Sequence, residues 1–170
     1  LPDESTIKIQ LDGDRMVVKS GRSRFVLSTL PATDFPVIED INANVEITIG
    51  QAEFHRLLEK THFSMAQQDV RYYLNGLLIE IGDGNVRAVA TDGHRLALCE
   101  IAAGKKSDAS QQVIIPRKGV LELQKLLGDD DEVTLSIGTN HIRAFIGQIR
   151  FTSKLIDGRF PDYDRVIPKP

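Results

Sequence analysis

Residues 77–88 read Leu-Leu-Ile-Glu-Ile-Gly-Asp-Gly-Asn-Val-Arg-Ala, and residues 133–144 read Val-Thr-Leu-Ser-Ile-Gly-Thr-Asn-His-Ile-Arg-Ala, a repeat at an offset of 56. In both, apolar residues recur at every second position and a Gly-rich or Gly-Thr-Asn turn interrupts them, which predicts a β-hairpin in each copy. A longer repeat, at an offset of 126, lays residues 1–36 over the end of the chain: Leu1 on Leu127, Ile7 on Val133, Arg24 on Arg150, Phe25 on Phe151. After a one-residue slip, Phe35-Pro36 falls on Phe160-Pro161. A period of that length predicts a duplicated domain whose first copy lacks its front, so the chain is expected to begin inside a domain.

Upstream of each hairpin lies a short apolar strand, Val45 to Ile49 and Val113 to Ile115, followed by a helical pattern. The first helix is expected from about Gln51 to Thr61, with Phe54, Leu57 and Leu58 inward and His55, Arg56, Glu59 and Lys60 outward. The second is expected to start at Pro116 and stop before Gly128, with Val120, Leu123 and Leu127 inward and Lys118, Glu122 and Lys125 in solvent. The unit thus reads strand, helix, strand, strand, strand, and occurs twice between about Val45 and Ile167. Asp12-Gly13-Asp14 closes an equivalent hairpin near the start. Phe35 to Asn44 reads as a linker, Gly158 to Pro170 as the matching exit linker, and Ser107 to Gln112 as a polar loop between half-units. The domains expected are therefore 1–44, the back half of one domain plus linker, and 45–170, a complete one. Sequential antiparallel strands with one helix per half-unit give an α+β fold with helices on one face of the sheets. Such domains in tandem build an extended surface or, with constant curvature, a ring.

A domain of about 125 residues buries enough surface to need neither disulfide nor metal. The lone Cys99, in the run Leu96-Ala97-Leu98-Cys99, reads as a small buried hydrophobe. No apolar run is long enough to span a membrane and no signal-peptide pattern is present, so a cytoplasmic location is expected. The net charge of −3 argues, taken alone, against a nucleic-acid partner.

Catalytic motifs are absent: there is no phosphate loop, no His-Glu-x-x-His and no nucleophile elbow. His55, His62, His94 and His141 lie in different elements without ligand spacing, and neither metal nor cofactor is expected. Two segments stand out. Thr91-Asp92-Gly93-His94-Arg95-Leu96 admits an acid–base reading of Asp92 with His94, and equally a tight turn made by Asp and Gly. Aligned on the hairpins Gly21-Arg22-Ser23-Arg24 and Gly147-Gln148-Ile149-Arg150, Arg95 recurs in every copy and reads as structural. Thr91, Gly93 and His94 are private to the middle copy, with one inserted residue. Arg71-Tyr72-Tyr73, after Gln67-Gln68-Asp69, is either a strand start packed in the core or an exposed loop offering Arg to phosphates and Tyr rings to bases.

Four segments together resemble the bacterial sliding-clamp family, the beta subunits of DNA polymerase III: Asp69–Gly76 (Asp-Val-Arg-Tyr-Tyr-Leu-Asn-Gly), Ala90–Leu96, Pro116-Arg117-Lys118-Gly119, and Asp157–Tyr163 (Asp-Gly-Arg-Phe-Pro-Asp-Tyr). The resemblance covers the whole chain and implies a DNA-clamp fold, three tandem domains per full-length chain, and a head-to-tail homodimeric ring around duplex DNA. This chain would then be the back half of the first domain with the second, a non-catalytic internal fragment. A ring held by topology needs only weak phosphate contacts, which the acidic net charge permits. The resemblance implies DNA contacts from Gln68, Arg71, Tyr72 and Tyr73 on a loop and from Arg56, Lys60, Arg117, Lys118 and Lys125 on the two helices. It implies a pocket for short Gln- and Leu/Phe-containing peptides at Leu74, Thr91, Gly93, His94, Arg95, Leu96, Pro161, Arg165 and Val166. The partners so implied are the DNA polymerase III alpha subunit, the clamp loader and other polymerases. Asp164 departs from the family pattern by setting an acid beside Arg165. The isolated chain is expected to be monomeric and to bind DNA negligibly, and a charge at Leu74 or Leu96 is expected to abolish peptide binding without unfolding. The alternative reading is a protein-interaction repeat domain that never encircles DNA.

Overall fold

The computed structural model describes residues 3–37, 42–103, 110–129 and 131–168. The chain divides into two compact units, Leu1–Asp40 and Ile41–Pro170.

The first unit is a three-stranded antiparallel meander of β1 (Lys8–Asp12), β2 (Arg15–Ser20) and β3 (Ser23–Ser28). Its two-residue turns place Gly13 and Gly21 at positive φ, as the twist of paired strands favours. Ile9 faces Val18 and Phe25 across the sheet, and Leu11 faces Met16 and Leu27, so one face is continuously apolar. Ile9 is 62% and Leu11 66% exposed.

In the second unit β4 (Val45–Gly50) and α1 (Gln51–Glu59) precede the meander β5 (Gly76–Gly82), β6 (Asn85–Thr91), β7 (Leu96–Ala102). Then β8 (Gln111–Pro116) and α2 (Arg117–Leu126) precede β9 (Glu132–Ile137), β10 (His141–Ile146), β11 (Ile149–Lys154). The half-units exchange their leading strands: β4 joins the second meander as β11-β10-β9-β4, and β8 joins the first as β7-β6-β5-β8. Gln51, at the start of α1, ties the exchange together. Its backbone N–H donates to Asp131, its amide nitrogen to the Glu132 carbonyl, and its amide oxygen accepts from the Gly128 N–H.

One apolar cluster joins both sheets and both helices. Ile47, Leu77, Ile79, Val86, Leu135 and Ile142 meet Phe54, Leu57, Leu58, Val120 and Leu123 there. Each such side chain contributes about 1.5–3 kcal/mol by leaving water. Gly119 is needed for the approach of α2 to β11, because a Cβ would stand 2.7 Å from Ser153 Oγ. The sheet β11-β10-β9-β4 puts its main apolar face into this cluster. The sheet β7-β6-β5-β8 differs: Leu78, Val89 and Ile114 pack on its opposite face into a second, smaller cluster.

Several expectations need correction. α1 ends at Glu59, because Thr61 leaves the helical conformation and its hydroxyl bonds back to the Leu57 carbonyl. Pro116 closes β8 and caps α2 from an extended conformation, with ψ of 145°, instead of opening the first turn. Gly158 to Pro170 is no free linker among its described residues, since Phe160 and Tyr163 are buried in the second cluster. Cys99 is only half-buried, against the main cluster. Within Ser107 to Gln112, residues 107–109 lie outside the described residues and Gln111 and Gln112 belong to β8. Of the segment Phe35 to Asn44, residues 38–41 likewise lie outside them.

The β6–β7 hairpin departs most. Two residues, Gly147 and Gln148, separate the paired Ile146 and Ile149, whereas six, Thr91 to Leu96, separate the equivalent pair Ala90 and Ala97. The insertion is therefore four residues, not one. Leu98, opposite Val89, takes the place that Arg150 holds opposite Phe145, so Arg95 has no counterpart and belongs to the inserted turn.

Candidate functional site

The second cluster sits on a sheet face that two loops and one terminal segment cover. Leu74 is its innermost loop residue, at 2% exposure, joined by Leu78, Val89, Ile114, Phe160 and Tyr163, with Leu96 and Ile167 partly buried at its margin. Around it stand the 66–75 loop, the inserted 91–96 turn and the segment after β11.

The loop is fixed by Asn75. Its amide oxygen accepts from the Asp69 N–H at 2.9 Å and its amide nitrogen donates to the Asp69 carbonyl at 2.8 Å. Its backbone carbonyl accepts from Arg117 N–H, which anchors the loop at the start of α2. Gln68 takes a positive φ of 59°, and Val70 protrudes at the tip. Arg71 then spans two elements. Its guanidinium grips Asp69 through Nε at 3.0 Å and Nη2 at 2.8 Å, and Nη2 also reaches the Asp92 carbonyl at 3.3 Å. A Cβ on Gly93 would lie 3.0 Å from Arg71 Nη1, so glycine lets the guanidinium lie against the turn. The hydrogen bonds from the Arg71 side chain, and then from its backbone N–H, bring the Asp69 carboxyl down to about 2. Next to it Tyr72 lies edge-on to Tyr73, and a Cβ on Gly158 would lie 3.2 Å from the Tyr72 ring. Consecutive residues 71–74 thus touch the turn, the terminal segment and the cluster.

The inserted turn closes on itself. Thr91 Oγ1 donates to the Arg95 carbonyl at 2.7 Å and accepts from Gly93 N–H, while Asp92 Oδ1 accepts from the backbone N–H groups of His94 and Arg95. Asp92 Oδ2 accepts from Arg95 Nε at 3.1 Å. The two backbone bonds, and then Arg95, hold the Asp92 carboxyl below the ordinary carboxylate range. Asp92 is occupied as a turn builder and takes the backbone of His94, not its ring, which favours the turn reading over the acid–base one. Among the described residues no group of acidic, His and Cys side chains has metal-holding geometry.

Of the residues expected at a peptide pocket, Leu74 and Leu96 are brought together in the cluster, Thr91 is half-buried, and Gly93, His94, Arg95 and Pro161 are exposed. Val166 is 68% exposed, and Arg165 Nε pairs with Asp162 at 2.7 Å while Asp164 stays in solvent. Leu74 is the floor of the cluster, at 2% exposure, so a charge there is expected to cost stability as well as peptide binding. Of the residues expected to meet DNA, Gln68, Arg117, Lys118 and Lys125 line one cleft of about 540 Å³ with Ala66, Asn75 and Leu121. Tyr72 is exposed, Tyr73 is half-buried against the cluster, and Arg71 is engaged internally as described. Arg56 on α1 and Lys60, just past its end, lie apart from that cleft and pair with Glu53 and Glu59. Sequence reading missed Asp69 and Asn75 as loop builders, and Phe160 and Tyr163 as packed anchors. The Phe-Pro repeat was the available signal for Phe160.

Residues 48–162 match the family described as DNA polymerase III beta subunit, central domain, and residues 1–39 match its N-terminal domain. The chain is similar to the beta sliding clamp of Escherichia coli, at 58% identity over 99% of this chain and 46% of the relative. That of Pseudomonas aeruginosa is 53% identical over the same shares. The crystal structure of the P. aeruginosa subunit superposes with a TM-score of 0.94, covering all of this chain and 47% of that one, and the protein solved bound to griselimycin has the same TM-score, with 46% of that chain covered. The chain thus spans about half the length of the relatives that it matches.

Proposed function

Because the chain belongs to the family of DNA polymerase III beta subunits, we propose that it works as part of a non-catalytic ring that encircles duplex DNA and tethers replication proteins through a peptide pocket. The observation that carries the pocket is the apolar second face of β7-β6-β5-β8, with Leu74 as floor and Leu96 at the margin, rimmed by exposed polar groups of the inserted turn. Apolar walls with a few directed polar groups suit a short amphipathic peptide. The relative solved with griselimycin supports a ligand-binding surface on this fold. The proposed peptides come from the DNA polymerase III alpha subunit, the clamp loader and other polymerases.

The DNA side is proposed to be the cleft at Gln68, Arg117, Lys118 and Lys125, together with Tyr72, Arg56 and Lys60. Lys125, Arg56 and Lys60 each have an acidic neighbour within 3.4 Å, so their pull on phosphate is partly answered from within the chain. Weak, sequence-independent contact of this kind suits sliding, with retention left to ring closure. The ring is proposed to be a homodimer of the longer protein in the cytoplasm. No described helix is long and apolar enough to cross a membrane.

Two titrations test the reading. A synthetic peptide carrying Gln and a Leu-Phe pair, added to the isotope-labelled chain, is expected to shift the Leu96 and Val166 resonances. Linear duplex at physiological salt is expected to bind no more tightly than about 100 μM, the weak end of non-specific association. Peptide shifts confined to other surfaces, or submicromolar binding of open duplex, would contradict the pocket and the topological mode respectively.

A further inference from the structure

Pro161, Arg165 and Val166 are exposed on the segment after β11, whose described residues form a single short turn, Tyr163–Arg165. Two of its residues are buried. Phe160 is held by apolar packing, while Tyr163 adds a hydroxyl that donates to Glu80 on β5 and accepts from Arg87 Nη1 on β6 at 3.1 Å. Those partners are fixed in turn. Arg87 Nε reaches Glu100 Oε2 on β7 at 2.7 Å, Asn85 donates to the other Glu100 oxygen at 3.0 Å, and Gln112 on β8 donates to Glu80. All four strands of the sheet therefore contribute to one polar network centred on a phenol that is itself buried. Burial and then the bond to Glu80 push the Tyr163 hydroxyl up, and the bonds to Tyr163 and Glu100 do the same for Arg87, so both keep their protons.

A ring held only by apolar contact can slide or rotate on the sheet; one that donates and accepts at fixed atoms cannot. The constraint passes outward through one backbone bond, Val166 N–H to the Tyr163 carbonyl at 3.0 Å. We propose that Tyr163, held by Glu80 and Arg87, is the positioning residue of the peptide site, fixing the wall that presents Pro161, Arg165 and Val166. This rests on the pocket reading above. It assigns a purpose to a polar network on a sheet face where apolar side chains alone would pack.

The test uses the 170-residue chain, isotope-labelled on amides and methyl groups, and the same synthetic Gln- and Leu-Phe-containing peptide. Tyr163→Phe keeps the buried ring and removes the hydroxyl. It is expected to weaken peptide binding about three- to tenfold, the scale of one net hydrogen bond. In the free protein it is expected to displace the Arg165 and Val166 resonances while Ile79 and Leu135 in the main core stay in place. Glu80→Gln retains an acceptor and is expected to bind within about twofold of wild type, whereas Glu80→Ala reproduces the loss. If the core resonances also move in Tyr163→Phe, the contrast between the two Glu80 variants decides the matter. Equal affinity of Tyr163→Phe and wild type, or equal loss in both Glu80 variants, overturns the positioning role and leaves the pocket standing. A wild-type chain that shows no shifts at millimolar peptide overturns the pocket, and the role with it.

Discussion

A carboxylate gripped by both arms of a guanidinium gives up its charge only in strong acid, and Asp69 is such a group, brought down to about 2 chiefly by Arg71. Its folded value lies below the ordinary one, so the contact contributes fully above about pH 4 and is lost as pH falls through about 2. A carboxyl titration followed by NMR should show this, and Arg71→Gln should return Asp69 toward the ordinary value of 3.8. A titration of Asp69 near the ordinary value in the wild-type chain would refute the grip. Leu74 and Leu96 separate by burial. Leu74→Ala is expected to cost about 2–5 kcal/mol in denaturant unfolding, as a fully buried leucine does. Leu96→Glu, at the half-buried margin, should stay folded and lose peptide binding. The sequence showed both as apolar beside polar neighbours; which one is floor and which is rim depends on what covers the outer sheet face, and the covering residues, Phe160 and Tyr163, come from a segment that reads as linker.

At the level of elements, the inserted turn is the part in which like letters misled. Arg95 aligns with Arg24 and Arg150 by residue type, yet strand pairing sets Leu98 in their place, because register follows the ladder and not the side chain. The hairpins of the other copies close with two residues, so the scaffold does not require the extra four. Replacing residues 91–96 by Gly-Gln, the turn that joins β10 to β11, is expected to leave the thermal midpoint within a few degrees and to remove peptide binding. The small change follows because the turn's hydrogen bonds are mostly internal and exposed, and such bonds contribute little net stability. Collapse of the fold in this variant would show that Arg71, Asp92 and Gly93 hold the domain as well as shape its surface. Strand and helix positions, by contrast, were legible, since β4 and β9 alternate, β5 and β8 are short apolar runs, and each helix carries one apolar stripe.

For the molecule as a whole, the repeat exposed the duplication but not the exchange of β4 and β8 between half-units. Offsets count residues within a unit and carry no information about which sheet a leading strand joins. The exchange makes each half-unit of residues 41–170 dependent on the other, and buries Leu135 and Ile137 completely. The first unit has the same three strands in the same register, at the same offset of 126, with Ile9 and Leu11 standing where Leu135 and Ile137 stand. Within the first unit no described residue covers that apolar face. A three-stranded sheet without a covered face is marginal in water, so local opening should be frequent in β1–β3 and rare in β5, β6, β9 and β10. Native-state hydrogen exchange on the intact chain should therefore show amides of Met16 to Lys19 exchanging faster than those of Ile142 to Phe145, their counterparts, by roughly two orders of magnitude. Equal protection at the two sets would mean that the open face is covered in solution, and a rise in molecular mass with concentration would then identify a second copy as the cover.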